Sequence, residues 1–107
     1  MKKYEIVKEH EDFNNIINTG KYKKGKFFVI YNKDNNLDHN RYGIAVSKKN
    51  GNAVIRNKLK RQARMILTTN KNMFKNNNDY IIIVKTSAVD IPYAALENDI
   101  LNIIKGD

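Results

Sequence analysis

The chain has no cysteine. That excludes a disulfide framework and a thiolate metal site. Long apolar runs are also missing. Nothing approaches the roughly 20 residues needed to span a bilayer, and M-K-K-Y-E-I-V-K-E-H at the start lacks the apolar core of a signal peptide. A cytoplasmic protein with no membrane partner is expected. Proline occurs once and glycine five times. No Pro/Gly linker or internal repeat breaks the chain, so residues 1–107 read as one domain with a modest core. There is no Walker loop, no nucleotide-binding glycine pattern and no nucleophile elbow. The two histidines, His10 and His39, lack metal-ligand spacing and read as surface residues. No catalytic residue and no metal ligand is therefore assigned.

Acidic residues are the most telling shortage. Eleven acids face twenty Lys and Arg, a formal net charge of +9. The sequence pI of about 9.8 is in the range where nucleic-acid binding is suspected. Between Ser47 and Arg64 (S-K-K-N-G-N-A-V-I-R-N-K-L-K-R-Q-A-R) there are seven cations in eighteen positions and no acid. The second half of this block has helical periodicity. Ile55, Leu59, Ala63, Ile66 and Leu67 share one face. Lys58, Lys60, Arg61 and Arg64 fan across the other with Asn57, and Arg56 lies near the boundary. Arg56/Lys60 and Lys60/Arg64 are like-charge i,i+4 pairs, which destabilise a helix. Arg56 also sits near the positive end of the helix dipole. A segment that breaks local rules in one direction is a candidate functional site, and a polyanion would supply the missing counter-charge.

The remaining elements follow from spacing. Glu9 to Thr19 predicts a helix with Phe13, Ile16 and Ile17 on one face and Gly20 as its terminator. Lys21 to Gly25 reads as a short basic edge strand. Lys26 to Asn32 predicts a strand whose continuous apolar run needs partners on both faces. Phe28 and Ile30 are assigned to the core. Asp34 to Asn40 is a polar turn, and Arg41 to Ser47 a second strand. Asn52 is placed to cap the basic helix, which fades near Thr69. Asn76 to Asn78 read as a loop, and Asp79 to Lys85 as the strongest strand. Asp90 reads as a turn residue. Pro92 opens a last helix, amphipathic except for Asp99. The order αβββαβα predicts an α/β (α+β) two-layer sandwich, with helices covering a small mixed sheet. A partly uncovered sheet face would leave a cleft.

Three stretches together resemble the protein component of bacterial ribonuclease P. They are Arg41 to Arg64, Asp79 to Lys85 (D-Y-I-I-I-V-K), and E-D-F-N-N-I-I-N-T-G-K followed by F-F-V-I-Y. The first is the specific one, and the match spans nearly the whole chain. The resemblance implies a left-handed strand–helix–strand crossover, an exception to the usual right-handed rule. It implies an endoribonuclease whose catalytic centre is RNA, with the protein inactive alone. The holoenzyme removes the 5′ leader of precursor tRNA, and Mg²⁺ is bound mainly by the RNA. One protein per catalytic RNA is implied.

Residue by residue, the family's Arg-Asn-Arg motif falls on Arg56, Asn57 and Lys58, where lysine keeps the charge but loses the planar fork. With Lys48, Lys49, Lys60, Arg61 and Arg64 these are the implied contacts to the catalytic RNA. Ser47 belongs to the same loop, and Asn50 replaces a usually apolar residue. The implied leader-binding cleft comprises Phe13, Ile17, Val29 and Tyr31, with Ile17 at a position often aromatic. Aromatic faces flanked by lysines suit a single-stranded ligand. Two other readings start from composition. A non-catalytic RNA-binding module such as a ribosomal protein fits the charge. A DNA-binding helix-turn-helix would need a helix where Arg41 to Ser47 reads as strand.

Overall fold

In the computed structural model, residues 1–106 are described. Three helices and four strands appear in the expected order: α1 (His10–Thr19), β1 (Lys21–Lys24), β2 (Phe28–Asp34), β3 (Arg41–Val46), α2 (Ala53–Thr69), β4 (Asn78–Val84) and α3 (Tyr93–Lys105). The strands form one mixed sheet in the order β1-β2-β4-β3. β1 and β4 each run antiparallel to β2, and β3 runs parallel to β4. A parallel pair needs a crossover, and α2 supplies it.

Alternation along the strands sorts side chains between two faces. Phe28, Ile30, Tyr42, Tyr80, Ile82 and Val84 point one way, into the main core. There they meet Leu59, Ala63, Ile66 and Leu67 of α2 and Leu96, Ile100 and Ile103 of α3. Ile66, Leu67, Ile82 and Ile100 are fully enclosed, each burial being worth roughly 1.5–3 kcal/mol. The opposite face is covered only in part. There α1 lays Ile16, Phe13 and Ile17 against Ile81, Ile83 and Tyr31. The continuous apolar run of β2 thus has partners on both sides, the second one partial.

Several expectations shift in detail. Strand β2 begins at Phe28 rather than Lys26, because the amides of Lys26 and Phe27 are held by Asp99 instead of a neighbouring strand. Asn78 is not loop. It opens β4, is 1% exposed, and accepts a bond from Asn32 while its own amide donates to Asn40. Gly20 does end α1, but with φ −83° it is not in the left-handed region. Glycine is required there for space: a Cβ would lie 2.5 Å from the Ile16 carbonyl and 2.7 Å from that of Asn32. Pro92 stands at the N-cap of α3, and Asp90 has the positive φ of a turn residue, 63°.

Candidate RNA-binding surfaces

The α2 surface is built from its cap outward. Gly51 takes φ +137°, a conformation that favours glycine, and turns the chain into Asn52. The Asn52 Oδ1 accepts the Ile55 amide at 3.0 Å, the N-cap bond expected from sequence. Just before, Lys48–Asn50 form a single 3-10 turn that exposes Lys48 and Lys49. Asn50 is buried because it does structural work: its Nδ2 donates to the Lys85 carbonyl at 2.9 Å, tying the loop to the end of β4. An amide therefore fills the usually apolar position by satisfying a backbone acceptor.

Along α2 the predicted faces hold. Leu59, Ala63, Ile66 and Leu67 are buried and Ile55 half-buried. Asn57, Lys58, Arg61 and Arg64 are exposed, with Arg56 and Lys60 at the margins. Among the described residues the carboxylate ion pairs involve His39, Arg41 and Lys71, and none includes an α2 cation. The Arg56 Nε is enclosed without an acceptor. Among the described residues no carboxylate compensates this cationic surface.

The second surface is the partly covered sheet face. Phe13 and Ile17, one helical turn apart on α1, pack beside Tyr31 and Ile83. Phe13 lies directly on Gly43, where a Cβ would come within 2.6 Å of its ring. Phe13 thus forms the cleft wall as a packed residue, half-buried like Ile17 and Tyr31. Val29 is on the same sheet face, opposite Ile83 in the register, but outside the α1 cluster. It forms the open floor. The end of the cleft is fixed by Arg41, whose Nε donates to Asp79 at 2.8 Å and whose guanidinium reaches Asp12 of α1 at 3.5 Å. The Asp79 carboxylate raises the Arg41 pKa above its ordinary value, chiefly through that hydrogen bond.

The two surfaces meet at the outer edge of β3. A cleft of about 190 Å³ there is bordered by Phe13, Gly43 and Ile44 on one side and by Lys60 and Arg64 on the other. The N-terminal segment roofs part of it, with Val7 donating to the Tyr42 carbonyl at 2.9 Å. The histidines stand elsewhere. His10 is exposed at the start of α1, and His39 bonds Asp38 and the Tyr4 carbonyl.

Sequence reasoning missed three neighbours of the cleft: Tyr22, Lys24 and Ile83. Tyr22 pairs with Tyr31 across β1–β2 and Lys24 with Val29, so both face the open side. Nothing in K-Y-K-K alone marks them; the β1–β2 register does.

Comparison with known proteins agrees with this architecture. The ribonuclease P family model matches residues 1–106. The chain is 44% identical over 106 residues to the ribonuclease P protein component of Mycoplasma mycoides, covering 98% of this chain and 97% of that one. It is 38% identical to the Streptococcus agalactiae protein of the same name, covering 98% and 95%. The Staphylococcus aureus RNase P protein structure superposes with a TM-score of 0.87 at 35% identity, over 94% of this chain and 93% of that one. The Thermotoga maritima protein gives 0.88 at 30% identity, over 96% and 97%. With a family model matching residues 1–106 and relatives and solved structures agreeing over nearly the whole chain, this chain belongs to the ribonuclease P protein family.

Proposed function

We propose that this protein subunit of ribonuclease P divides two RNA contacts between the two sides of its sheet. The α2 surface, Lys48, Lys49, Arg56, Asn57, Lys58, Lys60, Arg61 and Arg64, binds the catalytic RNA through phosphates. The cleft of Phe13, Ile17, Val29 and Tyr31 receives the single-stranded 5′ leader of precursor tRNA. The catalytic centre and its Mg²⁺ belong to the RNA, one protein serves each catalytic RNA, and the complex works in the cytoplasm. The protein alone does not cleave.

One observation carries this reading. A cationic helix without carboxylate partners among the described residues and a partly covered, aromatic-lined sheet face come together at the β3 edge, where Phe13 borders a cleft with Lys60 and Arg64. Phosphates neutralise the first, and unstacked bases fit the second. A ribosomal-type RNA binder would share the charge but has no need of the half-open cleft.

The test is reconstitution. Purified protein mixed with the catalytic RNA should restore single-site cleavage of precursor tRNA at low Mg²⁺. Protein and Mg²⁺ without that RNA should leave the precursor intact. Cleavage that followed the protein through several purification columns, with no RNA present, would overturn the assignment of chemistry to the RNA.

A further inference from the structure

We propose that the leader path continues past the cleft onto β1, where Tyr22 stacks a base and Lys24 holds the adjoining phosphate. This rests on the reading that the leader occupies the cleft. It adds a stretch of substrate beyond the four cleft residues and assigns it to an edge strand.

β1 is the edge farthest from β3, so it lies across the sheet from the α2 surface. Register places Tyr22 beside Tyr31 and Lys24 beside Val29, all four on the open face. The Tyr22 and Tyr31 rings have centroids 5.4 Å apart at an interplanar angle of 33°. Tyr22 is nevertheless 55% exposed, so much of the ring is left to solvent. The Lys24 Nζ lies 6.0 Å from the centroid of that ring. An exposed tyrosine packed at a tilt beside a cleft residue, with a cation above its ring, is the pattern of a single-strand platform.

Among the described residues no carboxylate forms an ion pair with Lys24. Lys21, Tyr22, Lys23 and Lys24 contain no acid. The nearby Asp99 carboxylate is already taken by two backbone amides on the far side of the sheet. Tyr22 further supplies an aromatic surface on a face where Ile17 offers none. A single strand leaving Tyr31 toward β1 meets the Tyr22 ring next, one strand spacing of about 4.8 Å away.

The experiment uses the assembled holoenzyme and three substrates: precursor tRNA with a long leader, the same precursor with the leader cut to its last nucleotides, and mature tRNA. Tyr22→Ala should weaken binding of the long-leader substrate by about five- to 150-fold, the range for one stacked base. The short-leader substrate and mature tRNA should be affected little, and Tyr22→Phe should retain long-leader binding. Lys24→Gln should flatten the salt dependence for the long leader by about 0.7 in log K against log salt. Tyr31→Ala is the control, because it should weaken both precursors. If Tyr31→Ala separates precursor from mature tRNA while Tyr22→Ala treats the long and short leaders alike, the β1 extension is overturned and the cleft reading stands. If neither variant separates precursor from mature tRNA, the cleft reading fails and the extension with it.

Discussion

At the residue scale, the oddities of this chain resolve into close contacts. Asp99 interrupts an otherwise apolar helix face, and the structure gives the reason. Its carboxylate, 7% exposed, accepts the amides of Lys26 and Phe27 at 2.8 and 2.9 Å. These would otherwise be orphaned where β1 turns into β2. Gly25 is part of the same device, since a Cβ there would sit 2.6 Å from an Asp99 oxygen. The interruption was legible in the sequence, but its partner, more than seventy residues away, was not. Periodicity reports which face a residue occupies and says nothing about what meets it. Asp99→Ala should cost about 1.5–3 kcal/mol, because two charge-assisted bonds to the amides of Lys26 and Phe27 are lost. Urea unfolding with an unchanged m-value measures this. A loss under about 0.5 kcal/mol, the scale of an ordinary surface change, would mean that water replaces the carboxylate. Tyr80 belongs to the same class of remote partner. Burial pushes its phenol up to about 12, and its hydroxyl donates to the Lys75 carbonyl at 2.8 Å.

At the element scale, α2 was the most legible part of the molecule and β1 the least. The α2 pattern is strong because one sign of charge and one apolar stripe coincide over several turns. β1 has four residues, too few for alternation to show which side chains share the cleft. The ends of β2 and β4 were displaced because side chains of Asp99, Asn40 and Asn32 decide where pairing starts and stops. If α2 acts through phosphates, its contribution depends on salt. Lys60→Ala combined with Arg64→Ala should lower affinity for the catalytic RNA. Each lost contact should reduce the slope of log K against log salt by roughly 0.7–0.9. Thermal stability should barely move, since surface charges away from the core shift it by only about 0.5 kcal/mol. An unchanged slope would remove α2 from the RNA interface.

At the scale of the whole molecule, the sheet separates the two proposed RNA contacts, and the β3 edge lies between them. Arg61 lies on the outer face of α2 and Tyr31 on the opposite side of the sheet. They share no partner, so their effects on holoenzyme binding of precursor tRNA should add within about 0.3–0.5 kcal/mol. Phe13 and Arg64 are different. Both border the cleft at the β3 edge, and a strand passing there would touch both. Phe13→Ala and Arg64→Ala should therefore couple, by about 0.5 kcal/mol or more. Phe13 also packs on Gly43, so each variant must first be shown folded, and the cycle is completed with binding constants rather than rates. Additivity at Phe13/Arg64 would mean that no single ligand spans the edge. Coupling at Arg61/Tyr31 would mean that the sheet transmits binding between its faces. Coupling at the edge together with independence across the sheet would mean that the leader and the catalytic RNA approach each other at β3 and nowhere else on the protein.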